Sequence, residues 1–364
     1  MTALAERLKA LIGAQGPISI AEFMTLALHD PADGYYATRD PLGAGGDFVT
    51  APEVSQMFGE LAGLWLAQAW IDQAKPKRPL LVELGPGRGT LMADALRALN
   101  IVPEFRRALD VVLVEISPVL REEQRKTLEG CGVAVRWATS LAEIAGGGPL
   151  FLIANEFFDA LPIRQFVKTE RGWCERMVGL DADGAFSFVL SPVPYPAANL
   201  PPNRDGAPRG GVYEMSAAGE SVAEEIGHRI AAGGGAALIV DYGYDAPGFG
   251  ETLQAVAGHK FADVLMNPGA SDLSAHVDFQ ALGDAAVRGG ASVCGPVEQG
   301  PFLLSLGLAE RASRLTVSTR SGAGLIEQEQ VQLAVERLTS PEQMGTLFKA
   351  LAIVPKTAPT PPGF

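Results

Sequence analysis

The stretch PLLVELGPGRGT at residues 79–90 decides the fold. Its first half is an apolar run interrupted only by Glu83, and such a run fits a strand that is covered on both faces of a parallel sheet. Its second half carries Gly85, Gly87 and Gly89 directly before a helical pattern. Glycines at this point let the backbone turn tightly and approach a ligand closely. The stretch therefore predicts the first strand of a doubly wound α/β core with a ligand-binding loop at its carboxyl end.

Further apolar runs follow at intervals that leave room for crossover helices. They predict strands at residues 111–116, 133–138, 150–156 and 236–243. Two shorter runs, at 291–295 and 348–354, predict the last two strands. The predicted fold class is α/β, with a Rossmann-like doubly wound sheet.

The residues ahead of the core have helical periodicity. The apolar residues within 3–12 fall on one face of a predicted helix. A second helix is predicted from an N-cap at Ser19 to Leu28, and a third from about Glu53 to Ala74. Between the last two lies a stretch rich in glycine and proline that also carries aromatic residues, at 33–52. Long ordered loops are usually functional, so we expect this loop to have a functional role.

These patterns divide the chain in two. We predict an N-terminal segment at 1–75 that comprises the helices and this loop, and a core at 76–364 with insertions at about 163–215 and 244–277. The first insertion alternates polar and apolar residues and then becomes rich in proline. That pattern predicts an antiparallel hairpin and an irregular loop rather than a separate domain.

Composition restricts the classes of function. The chain has 364 residues, is 47% hydrophobic and carries a formal charge of −13, which opposes binding to nucleic acid or anionic lipid and suits a cationic partner. The three cysteines show no C-x-x-C pairing, which predicts neither a zinc cluster nor a disulfide framework and fits a reducing compartment. Neither a secretory signal nor a membrane-inserted segment is predicted, so we expect a cytoplasmic protein.

The glycine loop and the next strand predict a nucleoside-containing cofactor. The spacing G-x-G-x-G differs from the dinucleotide fingerprint G-x-G-x-x-G. It is typical of methyltransferases, in which the loop wraps the methionine part of S-adenosylmethionine and an acid such as Glu83 meets the ammonium group. Glu115, at the end of the second strand, can accept both ribose hydroxyls. The alternatives are a structural glycine turn and an ordinary exposed strand end.

The fourth strand runs into NEFFDALP at residues 155–162. Glu156 and Asp159 are our candidate catalytic residues, because two carboxylates suit the rigid five-donor fork of a guanidinium and would localise electron density on its attacking nitrogen. We assign Asn155 to the cofactor side. The alternative is that Asn155 or Asp159 serves as a helix N-cap.

Three further residues are candidates on the substrate side. Asp241 and Tyr242 end the fifth strand, and His276 lies in the second insertion. His276 is a candidate general base, although a nitrogen already activated by a carboxylate needs none. The alternative for His276 is a hydrogen-bonded residue that fixes a loop.

Eight strings of this sequence, taken together and in order, resemble the successive motifs of the MidA family of methyltransferases. They fall between residue 11 and about residue 305 and therefore cover most of the chain. The strings are GPISIAEFMTLALHDPADGYY, GDFVTAPEVSQMFGE, VELGPGRGTLMADALR, VEISPVLREEQ, ANEFFDALP, LIVDYG, PGASDLSAHVDF and EQGPFL.

The resemblance implies a class I methyltransferase fold and S-adenosyl-L-methionine as cofactor, with no metal. It further implies methylation of an arginine ω-nitrogen in a protein substrate, a subunit of respiratory complex I being the expected kind, since the family is linked to complex I assembly. No mitochondrial presequence is visible, which points to a bacterial member. The alternatives are methylation of a lysine or a small molecule, a cofactor-binding assembly factor with little or no turnover and, more distantly, an NAD-dependent oxidoreductase.

The resemblance also implies site residues. The glycine loop with Thr90 and the ribose acid Glu115 carry over, and GDFVTAP would close over the cofactor. Its expected lid contacts are Asp47, Thr50 and Pro52.

Overall fold

A computed structural model describes residues 2–38, 50–200, 205–319 and 324–364. The helices are α1 (Ala3–Gln15), α2 (Ile20–His29), α3 (Tyr35–Thr38), α4 (Ala51–Val54), α5 (Gln56–Asp72), α6 (Thr90–Ala98), α7 (Pro103–Ala108), α8 (Pro118–Thr127), α9 (Ala217–Gly233), α10 (Phe279–Arg288), α11 (Gln299–Ser305), α12 (Leu308–Thr319) and α13 (Gly324–Thr339). None of the helices in these ranges is long and apolar enough to cross a membrane.

The strands lie between and after these helices. They are β1 (Ile18–Ser19), β2 (Leu80–Leu84), β3 (Asp110–Val114), β4 (Val135–Ala138), β5 (Leu150–Asn155), β6 (Arg164–Thr169), β7 (Gly172–Leu180), β8 (Phe186–Pro194), β9 (Val212–Met215), β10 (Gly235–Tyr244), β11 (Gln254–Ala257), β12 (Lys260–Ala262), β13 (Asp272–Ser274), β14 (Val277–Asp278), β15 (Ser292–Glu298) and β16 (Phe348–Val354).

The chain divides into two compact units. The core unit comprises Val49–Phe158, Ser221–Asp245 and Phe279–Phe364. The composite unit comprises Met1–Phe48, Asp159–Glu220 and Ala246–Asp278. These bounds differ from the predicted division at residues 75 and 76, because both insertions group with the N-terminal segment and α5 groups with the core.

The core unit is built around one mixed sheet. Its strands run in the order β15-β16-β10-β5-β2-β3-β4. The strands β4, β3, β2, β5 and β10 pair in parallel, whereas β16 is antiparallel to both of its neighbours. From β2 the chain proceeds outward to β3 in one direction and later to β5 in the other, so β2 and β5 flank the point where strand order reverses. Doubly wound folds bind ligands at that point, outside the carboxyl ends of the strands.

The apolar runs account for the central strands. Every residue of β2, including Glu83, is buried, and so is every residue of β5, as expected for strands covered on both faces. The predicted α/β fold and all seven predicted core strands are confirmed. The antiparallel direction of β16 was not predicted, because an apolar run carries no information about strand direction.

Capping explains where the N-terminal helices begin and end. The predicted N-cap at Ser19 is confirmed, since its side chain accepts the backbone N–H of Glu22 at 3.1 Å. The single helix predicted from about Glu53 to Ala74 is wrong. Ser55 is extended, with φ −161° and ψ 136°, and its hydroxyl accepts the N–H of Met57, so α4 ends and α5 begins at this residue.

The composite unit has its own sheets and core. One sheet has the order β1-β7-β6-β9, with β8 paired to β7, and a second has the order β12-β11-β13. Apolar residues of α1 and α2 pack with Ile163, Val178 and Leu273 in one buried cluster. The antiparallel pairing predicted for residues 163–215 is therefore present, but it belongs to a unit whose segments are far apart in sequence.

Candidate active site

The glycine loop after β2 has the backbone conformation that its spacing implied. Gly85, Gly87 and Gly89 have φ values of 60°, 54° and 84°, in the left-handed region that favours glycine. A Cβ on Gly85 would lie 3.0 Å from the Phe157 ring. The loop leads into α6, which begins at Thr90.

Glu83 lies in β2 just before this loop and is almost completely buried. It is 3% exposed, and burial raises the pKa of its carboxyl group well above the ordinary value. Its Oε2 atom has no hydrogen-bond partner among the described residues. A buried acceptor of this kind is stabilised when a cationic donor reaches it. Glu83 is therefore suited to bind an ammonium group.

Glu115 follows β3 at the same edge of the sheet. It is 7% exposed, which excludes the alternative of an exposed strand end. Its carboxylate accepts the N–H of Ser117 at 2.8 Å and the side-chain amide of Gln124 at 3.2 Å. Burial is the largest effect on Glu115 and raises its pKa, although both hydrogen bonds oppose that rise.

Gln124 connects Glu115 to the glycine loop. Its Nε2 atom donates to the carbonyl of Gly87 at 2.7 Å, and its Oε1 atom accepts from the Trp137 indole at 2.7 Å. Sequence reasoning did not select Gln124. The available signal was its position on the helix that follows the acidic strand end, in SPVLREEQ.

The carboxyl end of β5 places Glu156 in an unusual conformation. Glu156 has a φ of 50°, which is uncommon for a residue other than glycine. Its Oε1 atom accepts the backbone N–H of Ala51 at 3.0 Å and the Asn155 side-chain amide at 3.1 Å. Asn155 is buried, and its Oδ1 atom has no hydrogen-bond partner within the described ranges. Glu156 therefore binds the start of α4, and its predicted contact with substrate stays a prediction.

Asp241 holds the turn that follows β5. Its Oδ2 atom accepts the N–H groups of Phe157 and Phe158 at 3.1 and 3.0 Å, and its Oδ1 atom accepts the N–H of Tyr242 at 2.9 Å. The residue is fully buried. Tyr242 packs against Phe348, with ring centroids 5.4 Å apart. The structure thus gives Asp241 a positioning contact, and substrate contacts from Asp241 and Tyr242 stay predictions.

A second carboxylate ties α4 to the glycine loop. The hydroxyl of Thr90 donates to Oε1 of Glu53 at 2.6 Å. Thr50 immediately precedes α4, and Pro52 is buried within it. Asp47, the remaining predicted lid contact, lies outside the described residues. Glu53 was not selected from the sequence, because nothing in it indicates that Glu53 and Thr90 meet.

The remaining candidates belong to the composite unit. Asp159 is 8% exposed, and its carbonyl accepts the N–H of Ala275 at 3.0 Å. The N–H of His276 donates to the hydroxyl of Thr252 at 2.9 Å, and Thr252 in turn donates to the Glu214 carboxylate. Burial lowers the pKa of His276. A neutral imidazole at pH 7 is compatible with either predicted role, the proton acceptor or the loop-fixing residue.

Comparisons with known proteins identify the family to which the chain belongs. The model of a family of S-adenosyl-L-methionine-dependent methyltransferases, Methyltransf_28, matches residues 61–297. The chain is 38% identical to a zebrafish (Danio rerio) protein named protein arginine methyltransferase NDUFAF7, mitochondrial, over 96% of this chain and 86% of that protein. The human (Homo sapiens) protein of the same name is 36% identical, over 98% of this chain and 84% of its own length.

Solved structures agree with the sequence relatives. A COG1565 superfamily protein from Burkholderia thailandensis, crystallised with S-adenosyl-homocysteine, is 31% identical and superposes with a TM-score of 0.84 over 99% of this chain and 94% of its own. A native crystal structure of a COG1565 superfamily protein from the same organism gives 32% identity and a TM-score of 0.83, over 100% and 94% of the two chains.

The residues of the core unit fit S-adenosyl-L-methionine. The buried Oε2 atom of Glu83, which has no partner in the part of the chain that the structure describes, suits the ammonium of its methionine part. The carboxylate of Glu115 suits its ribose hydroxyls, and the glycine loop leaves room for the backbone to approach it. Among the described residues, no group of His, Cys, Asp or Glu side chains could hold a metal ion. The chain belongs to this family of S-adenosyl-L-methionine-dependent methyltransferases, the MidA family that its motifs resemble, and S-adenosyl-L-methionine is its cofactor.

Proposed function

We propose that this enzyme is a protein arginine N-methyltransferase that acts on a subunit of respiratory complex I or a similar protein. The observation that carries the proposal is 38% identity over 96% of the chain to a protein named as a protein arginine methyltransferase. The net charge of −13 also supports a cationic acceptor. The choice of a complex I subunit rests on the resemblance to the MidA family.

Methyl transfer requires mainly that the protein bind the cofactor and align the acceptor nitrogen with its methyl group. When bound, S-adenosyl-L-methionine would supply a methyl group on a sulfonium sulfur, which is the leaving group. Glu83 would hold the ammonium of its methionine part, and Glu115 would hold its ribose hydroxyls. Glu156 and Asp159 remain our proposed carboxylates on the acceptor side, where a carboxylate would orient the guanidinium and take up the proton that its nitrogen loses.

The test combines cofactor binding with turnover. Purified protein is titrated with S-adenosylhomocysteine by calorimetry, with NAD as comparison, and is then incubated with radiolabelled S-adenosyl-L-methionine and the peripheral-arm subunits of bacterial complex I. We expect binding of S-adenosylhomocysteine but not of NAD, and mass spectrometry should find methylarginine. Gly87→Val should lose both cofactor binding and methyl transfer, because valine is strained at a φ of 54°.

The two parts of the test separate the competing functions. Cofactor binding without methyl transfer to any acceptor would refute the proposal in favour of an assembly factor. Methyl transfer to lysine or to small amines alone would refute the arginine specificity and retain the enzyme class.

We also propose that the protein works in the cytoplasm of a bacterium. The three cysteines are free, which suits a reducing compartment. The curated relatives are named as mitochondrial proteins. Fractionation of the source cells followed by immunoblotting tests the location, and recovery in the membrane or periplasmic fraction would refute it.

A further inference from the structure

A group of titratable side chains in the composite unit is not explained by cofactor binding. It gathers residues from three distant parts of the chain: His29 and Tyr36 near the N-terminus, Asp159 directly after the core segment, and Asp272 in β13. The Tyr36 hydroxyl donates to Oδ1 of Asp272 at 2.9 Å. The His29 ring stacks on the Tyr36 ring, with centroids 5.7 Å apart and planes inclined by 20°.

Asp159 belongs to the same group. The N–H of Ala275, just beyond β13, donates to its main-chain carbonyl at 3.0 Å. Burial is the largest effect on the Tyr36 phenol and raises its pKa. The negative charges of Asp272 and Asp159 raise that pKa further. Both aspartates are 8% exposed. Tyr36 therefore remains protonated. The Asp272 carboxylate is hydrogen-bonded to it, and the Asp159 carboxylate is near enough for its charge to raise the pKa of Tyr36.

We propose that Tyr36, Asp159 and Asp272 form a subsite for the guanidinium group of the acceptor arginine. The subsite rests on the proposed function, since it names the residues that recognise the methyl acceptor. Asp272 fixes the direction of the Tyr36 hydroxyl, whose oxygen keeps lone pairs that can accept an N–H group. The two carboxylates supply charge-assisted acceptors for the other donors of the fork.

The chemistry of this group favours guanidinium over ammonium. A guanidinium is planar, carries five donors in fixed directions and stacks on aromatic rings, whereas an ammonium is a compact, strongly hydrated point charge. The His29 ring adds an aromatic face and no opposing charge, because burial lowers its pKa. The composite unit also contains 18 acidic and 10 basic residues, a balance that favours a cationic ligand.

The test measures binding of a minimal probe to the full chain saturated with S-adenosylhomocysteine. The probe is Nα-acetyl-arginine methylamide, and the matched citrulline and lysine derivatives serve as comparators. Citrulline keeps the shape of arginine but lacks its charge. We expect the arginine probe to bind about tenfold more tightly than either comparator, which corresponds to about 1.4 kcal/mol.

Two variants and one control complete the experiment. Asp272→Asn should weaken arginine binding about tenfold, and Tyr36→Phe should weaken it a few-fold, each with an unchanged dissociation constant for S-adenosylhomocysteine. Tyr195→Phe is the control, because Tyr195 lies in the same unit but packs against Phe166, with centroids 4.2 Å apart. If Asp272→Asn does not fold, Tyr36→Phe carries the test alone.

The outcomes are distinct. The subsite is refuted if wild-type protein does not bind the arginine probe, if arginine and citrulline bind equally, or if Tyr36→Phe binds arginine like wild type. A merely structural hydrogen bond between Tyr36 and Asp272 would change the unfolding midpoint without changing the preference for arginine. Methyl transfer, assayed on the same preparations, tests the proposed function separately, since arginine binding without methylarginine would refute the activity and retain the subsite.

Discussion

Replacement of Glu156 should separate backbone strain from hydrogen bonding at the edge of the active site. Glu156→Ala removes the acceptor of the Ala51 N–H and of the Asn155 amide. Hydrogen bonds to charged groups contribute about 1.5–3 kcal/mol each, and because Glu156 is half-buried we take the lower end, about 3 kcal/mol for the pair. Alanine also keeps the strain of a φ of 50°, about 1 kcal/mol or more, which glycine does not have.

Glu156→Gly should therefore lower the free energy of unfolding by about 1 kcal/mol less than Glu156→Ala does. Urea unfolding of both variants measures this order directly. Gln68, which is exposed within α5, is the matched control. Because its backbone is helical, the free energy of unfolding of Gln68→Ala should exceed that of Gln68→Gly by about 1 kcal/mol. If Glu156→Ala is as stable as Glu156→Gly, the inference of backbone strain is wrong. Hydrogen exchange at Ala51 should accelerate in both Glu156 variants, since both release the start of α4.

Further predictions concern the cofactor site. Glu115→Ala should weaken binding of S-adenosylhomocysteine by about tenfold to a hundredfold in calorimetry, because two ribose hydroxyls lose a charged acceptor, and unchanged affinity would contradict that role. Because the pKa of Glu83 is raised in the folded chain, wild-type stability without cofactor should fall as pH rises through that pKa. Glu83→Gln should flatten this dependence at pH values above the ordinary pKa of a glutamate side chain, and it should weaken cofactor binding. Identical dependences of urea unfolding on pH for the two proteins would refute the prediction. Thr90→Val removes the hydrogen bond to Glu53 and should lower the free energy of unfolding by about 1–2 kcal/mol, whereas no loss would mean that Glu53 and Thr90 do not interact in solution.

The core strands could be predicted because burial on both faces requires long apolar runs. PLLVELG and FKALAIV are examples: β2 lies inside the first, and β16 coincides with the second. The glycine positions could be predicted for a related reason: a tight turn at a strand end requires left-handed backbone at Gly85, Gly87 and Gly89.

What could not be predicted depends on contacts between distant residues. Ile18 pairs with Val178, and Thr90 meets Glu53, but neither pairing leaves a local pattern in the sequence. The same limit applies to Asp241. Its predicted substrate contact stays a prediction, but nothing in the sequence indicates that its carboxylate accepts backbone N–H groups of the neighbouring turn.

The position of β16 has a consequence for synthesis of the chain. This strand is the last of the described strands in chain order, yet it lies between β10 and β15 in the interior of the sheet. Until Phe348–Val354 emerge from the ribosome, β10 presents one side with open backbone N–H and C=O groups, and open strand edges recruit other chains. The nascent protein therefore passes through a stage in which β10 is made but its partner β16 is not, and the open edge of β10 is exposed to aggregation until residues 348–354 emerge.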